Sequence, residues 1–205
     1  MKNIALVVIA SLLLFVIACT ASTTPDLEPT IPSEKQAATI DYARVIDPLE
    51  AAKLLIASNE STLDIPNELW KQLLSEKQYK ILREGGTEKP FSSPLDKNTE
   101  KGVYVTAGCK QPVYLSDAKY DSGTGWPSFF QPINNESIIL KPDYKLGIKR
   151  LEVLSSRCNE HLGHVFNDGP EPTGLRYCMN GEALEFIPEA EAIKMGIIPN
   201  DDAKV

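Results

Sequence analysis

Both histidines of this 205-residue chain stand three apart, at His161 and His164, and Cys178 follows 14 residues after the second. Arg176 lies two residues before that cysteine and Asn180 two residues after it. The thiolate is the nucleophilic form of cysteine, and a nearby cation favours it. In a strand, Arg176 and Cys178 would share a face. Imidazoles exchange protons near neutral pH. Together these groups suit attack on a polarised atom that carries oxygen. Two other readings stay open on spacing alone. Cys178 would be an inert buried hydrophobe in many proteins, with the histidines as satisfied core groups. Alternatively, His161, His164, Cys158 and Cys178 are four ligands of the kinds zinc takes, although their spacing does not match the usual paired C-x-x-C.

The elements that must hold these residues are short. From Val103 onward, β-rich runs at Val103–Thr106, Pro112–Leu115, Glu136–Leu140, Lys149–Leu154 and Leu184–Ile187 alternate with Gly, Pro and Asp turns. They predict a mainly β fold, an antiparallel domain whose long loops carry the chemistry. Two helices should precede it. One is Asp47–Ile56, with Asp47 as cap and Pro48 in its first turn. The other spans Asn67–Arg83 and stops at Gly85-Gly86.

With 42% apolar and 24% charged residues, the chain has the composition of a globular protein with one packed domain. A net charge of −7, with no local basic patch, argues against a nucleic-acid partner.

Met1–Cys19 reads as an export signal, with Lys2 ahead of an uncharged run from Ile4 to Ala18. Val16-Ile17-Ala18-Cys19 resembles the lipobox of bacterial lipoproteins. That resemblance implies cleavage before Cys19 and lipidation of its sulfur, an anchor to the membrane. An ordinary signal peptide with an incidental cysteine is the alternative. Either way the mature chain is expected to be exported, in the bacterial cell envelope.

Three stretches are similar to the methionine sulfoxide reductase B family: GTEKPFSSPLDKNTEKGVYV at 86–105, GTGWPSFF at 123–130 and HLGHVFNDGPEPTGLRYCMNG at 161–181. The resemblance implies two antiparallel sheets with N-terminal helices. It also implies reduction of methionine-R-sulfoxide in oxidised proteins or peptides. By position, Cys178 would attack the sulfoxide sulfur and be left as a sulfenic acid. His161 and His164 would bind and protonate the oxygen, Arg176 would favour the thiolate, and Asn180 would orient the oxygen or a water. Trp126 would wall the pocket for the methyl group, with Phe129 and Phe166 beside it as substrate-binding residues. The chain then divides into a signal peptide (1–18), a lipid-anchored flexible tether (19–45), a short helical lead-in (46–64), the reductase domain (65–190) and a C-terminal tail (191–205).

The chain departs from the family pattern in two places. Thr124 stands where many members carry the cysteine that recycles the nucleophile, so an external small thiol or thioredoxin-like partner is expected to regenerate Cys178. Members with structural zinc have two C-x-x-C pairs, whereas here the quartets read Thr106–Cys109 and Ser155–Cys158. No cofactor is expected, because half of each pair is lost. The remaining Cys109 and Cys158 are expected to form a structural disulfide. Free thiols, or one of the two acting as the resolving cysteine for Cys178, remain as alternatives, as does a non-catalytic or metal-binding envelope lipoprotein.

Overall fold

A computed structural model describes residues 47–145, 147 and 149–200. The signal segment, the tether with Cys19, and residues 201–205 lie outside the described residues.

Helix α1 (Pro48–Ala57) begins at Pro48 as expected, although the Asp47 side chain makes no capping bond. Its C-terminal end is held by Arg157, whose guanidinium donates to the carbonyls of Leu55, Ile56 and Ser58. A cation there completes the exposed end of the helix. The single helix expected over 67–83 is two: α2 (Asn67–Leu73) and α3 (Glu76–Leu82). Ser75 breaks it with a capping box: its hydroxyl accepts from the Gln78 N–H, and the Gln78 side chain accepts from the Ser75 N–H. The break lets Trp70, Leu74, Ile81 and Leu82 all reach the core.

Among the described residues, nine strands follow in two antiparallel sheets. A three-stranded sheet has the order β2 (Pro112–Leu115), β1 (Gly102–Thr106), β9 (Leu184–Pro188). A six-stranded sheet has the order β3 (Lys119–Tyr120), β4 (Ser128–Phe129), β8 (Arg176–Met179), β7 (His161–Phe166), β6 (Arg150–Ser155), β5 (Ile138–Asp143). The core joins them through Tyr104, Tyr114, Phe129, Val153, Leu162 and Met179, all fully buried. Phe129 stacks on Tyr114 with ring centroids 4.3 Å apart and meets Tyr104 edge-on at 5.0 Å. The segment expected as a tail from 191 instead continues a helix, α4 (Glu189–Lys194), which buries Ala192 beside Val103 and Val105.

Candidate active site

Strand alternation sorts the six-stranded sheet into an apolar face and a chemical face. One rung crosses all six strands: Tyr120, Ser128, Cys178, His164, Glu152 and Lys141 stand directly opposite one another in turn. Next to it, Arg176 pairs with Phe166, and Arg150 with Asp143. The other face carries Phe129, Tyr177, Met179 and Val153 into the core. Residues three apart on a regular strand point to opposite faces, which would separate the two histidines. A bulge corrects this. Val153 faces Gly163 while the next residue, Leu154, faces His161, so Leu162 is the extra residue. Both imidazoles therefore lie on the chemical face, with ring centroids 5.4 Å apart.

A cavity of about 150 Å³ opens over Cys178, lined also by Thr87, Trp126, Arg150, His164, Phe166 and Asn180. The expected residues Cys178, His164, Trp126, Phe166 and Asn180 thus meet in one place. His161 stands one step behind, in the wall of a separate groove that includes Leu82, Lys141 and Glu152. Phe129 corrects the expectation that it binds substrate. It pairs with Tyr177 on the apolar face, one residue out of phase with Cys178, and is wholly buried.

Burial pushes the Cys178 thiol up; Arg176 and the hydroxyls of Thr124 and Ser128 pull it back only in part. The pull of Arg176 toward the thiolate is outweighed by desolvation. Arg176 is itself held by Asp168, donating from Nε at 2.9 Å and from a terminal nitrogen at 2.8 Å, with its guanidinium over the Phe166 ring. Asp168 is a partner that the sequence reading did not single out.

Two more such partners serve the histidines. His161 Nδ1 lies 2.7 Å from Glu152 Oε1, and His164 Nε2 lies 2.8 Å from Asp143 Oδ2. Burial pushes the His161 imidazole down, against the pull of Glu152. Asp143 is held far below the usual carboxylate range by the Lys145 backbone N–H first, then by His164 and Arg150.

The tryptophan wall is hung from a fourth unforeseen residue, Glu88. Trp126 Nε1 donates to the Glu88 carbonyl at 3.2 Å. The Glu88 N–H donates to Asn180 Oδ1 at 3.0 Å, and its buried carboxylate accepts from the N–H groups of Gly181 and Glu182. Asn180 also donates from Nδ2 to the Leu162 carbonyl, which makes it a tie between strands as well as a pocket residue. The loop before Trp126 depends on Gly125, whose φ is +87° and where a Cβ would sit 2.7 Å from the Phe91 nitrogen.

The SelR domain family matches residues 74–188, more than half of the chain. A peptide methionine sulfoxide reductase MsrB of Methanosarcina mazei is 48% identical over 135 residues, 66% of this chain and 96% of that protein. Another, of Leptospira interrogans, is 51% identical over 123 residues, 60% of this chain and 94% of that protein. The chain belongs to this family. It is a peptide methionine sulfoxide reductase, and its two antiparallel sheets are the fold that the resemblance implied.

The site that would hold zinc in some members has a different chemistry here. Cys109 and Cys158 are joined in a disulfide. Thr106 and Ser155 stand at the other two positions, with hydroxyls 3.3 Å from Cys109 Sγ and 3.1 Å from Cys158 Sγ. Neutral hydroxyls and bonded sulfurs do not fit tetrahedral zinc. Glu160, fully buried, fills the remaining space: it accepts from the Cys109 N–H at 3.1 Å, and burial raises its pKa to about 7.

Proposed function

We propose that the reduction runs through Cys178 and is selective for the R epimer of methionine sulfoxide. The observation that carries this reading is the rung itself: Cys178 faces His164 across the β7–β8 pairing, at the mouth of a cavity walled by Trp126. The Cys178 sulfur attacks the sulfoxide sulfur. The oxygen passes to Cys178 and methionine leaves as the thioether, so the cysteine loses two electrons and the sulfoxide gains them. His164 supplies a proton to the oxygen, a step worth roughly 10²–10⁴-fold. Arg176 and the Thr124 and Ser128 hydroxyls stabilise the thiolate as the thiol ionises. The Trp126 face receives the methyl group.

Recycling then needs two external thiols, which reduce the sulfenic acid to thiol and water and leave as a disulfide. Thr124, not a cysteine, is the loop residue whose hydroxyl favours the Cys178 thiolate. The only other cysteines among the described residues are bonded to each other. The protein needs no structural zinc in this reading, because the disulfide closes the same corner of the fold.

The enzyme works on exported proteins from a lipid anchor at Cys19 in the bacterial envelope. The run Ile4–Ala18 before the Val16–Cys19 lipobox-like sequence supports this. Incorporation of labelled fatty acid in cells, abolished by Cys19→Ala, is the expected result; unlabelled wild-type protein would contradict it.

Turnover with R- and S-sulfoxide peptides and dithiothreitol tests the reaction. The R peptide should be consumed, the S peptide spared, and Cys178→Ser inactive. Equal activity in Cys178→Ser would remove Cys178 from the mechanism.

A further inference from the structure

The two histidines are held by opposite nitrogens. His161 is engaged through Nδ1 by Glu152, while its Nε2 is buried without a hydrogen-bond partner. His164 is engaged through Nε2 by Asp143. Asp143 is itself buried and takes three donors: the Lys145 N–H on one oxygen, and Arg150 and His164 on the other. A carboxylate held by that many donors stays ionised and can only accept, so Nε2 of His164 must carry its hydrogen. The groups around His164 are Cys178 on β8, Arg150 and Glu152 on β6, Asp143 on β5, and His161 and Phe166 on its own strand.

We propose that Asp143 is a positioning residue for the reduction, fixing His164 with its hydrogen on Nε2 so that the proton delivered to the sulfoxide oxygen is the one on Nδ1. The proposal rests on the reading that His164 protonates that oxygen. The proton balance is simple. His164 enters as the imidazolium, gives the Nδ1 proton to the oxygen, and remains neutral with the Nε2 hydrogen on Asp143. The carboxylate meanwhile offsets the imidazolium charge and keeps the ring from turning. Glu152 does the mirror-image work for His161, one strand nearer and outside the Cys178 cavity. Nothing in the sequence pairs Asp143 with His164, which stand 21 residues apart.

The test is ¹⁵N NMR of the imidazoles in the mature chain, combined with single-turnover reduction of an R-sulfoxide peptide. Wild-type His164, when neutral, should show a protonated Nε2 and a bare Nδ1. Asp143→Asn should lose that single tautomer and slow single turnover by at least about 100-fold. Substrate affinity and the rate of Cys178 alkylation should change little. Asp143→Glu should recover part of the rate, and Glu152→Gln should leave the His164 tautomer as it was. Melting curves and Cys178 alkylation identify a variant that has merely lost its fold. Should Asp143→Asn fail to fold, the wild-type spectrum alone decides. A hydrogen on Nδ1 of neutral wild-type His164, or a wild-type rate in folded Asp143→Asn, overturns the proposal. An inactive wild-type protein overturns the functional reading beneath it.

Discussion

The Thr124 hydroxyl is one of the groups that lower the burial-raised Cys178 thiol, so the Gly123–Trp126 loop brings beside the nucleophile a residue that cannot form a disulfide. The same contact gives a direct prediction. Thr124→Cys should place a second sulfur beside the first, and oxidation by one equivalent of substrate should then yield a 124–178 disulfide. Peptide mapping reads the bond. A Cys178 sulfenic acid that persists in this variant would mean the loop holds residue 124 too far away to condense.

Burial and Arg176 oppose each other at Cys178, and burial prevails. Alkylation of Cys178 by iodoacetamide should therefore keep accelerating with pH beyond 9, the ordinary value for the thiol. Arg176→Ala should push the midpoint higher still, because it removes the main opposing charge. A plateau below pH 8 in the wild type would show that the thiolate is far better stabilised than this pocket provides.

Much of this was legible in the sequence because the chemistry sits in short local runs. Arg176 and Cys178 alternate along one strand, Asn180 follows directly after it, and Trp126 follows Gly125 in a loop that needs glycine. What depended on pairing was not legible. The strands β7 and β8, six and four residues long, were absent from the β runs expected, because their glycine and charged residues interrupt any alternation. Phe129 looked like a neighbour of Trp126, but strand phase sends it to the core. Asp143, Glu152 and Glu88 reach the site only through sheet register or a loop crossing, and no spacing in the chain announces them. The capping box at Ser75–Gln78 was visible in principle, since S-x-x-Q is a start signal inside what read as one helix.

Glu160 makes stability depend on pH in an unusual direction. Its pKa rises from 4.5 to about 7 on folding, chiefly by burial. A raised carboxylate contributes fully below its unfolded value and loses that contribution as pH climbs through the folded one. The wild type should thus lose about 3 kcal/mol relative to Glu160→Gln between pH 4 and pH 8.5. Urea unfolding at several pH values measures the difference. A constant gap between the two proteins would show that Glu160 is ionised throughout in the fold.

The Cys109–Cys158 bond closes a separation of 49 residues, and neither cysteine lines the cavity over Cys178. Replacing both cysteines by serine should cost up to about 4 kcal/mol of stability in the chain-entropy model. Single-turnover reduction should continue at the wild-type rate below the melting point. A large loss of single-turnover rate in a folded double variant would tie the bond to the chemistry.

Whether Cys178 takes the oxygen and then waits for an outside thiol can be read in a single trapping experiment. Wild-type protein is given one equivalent of R-sulfoxide peptide with dimedone and no reductant, then mapped by mass spectrometry without reduction. The expected product is a dimedone adduct on Cys178 with the Cys109–Cys158 disulfide intact. A disulfide from Cys178 to Cys109 or Cys158 would contradict it and make that cysteine the resolving residue.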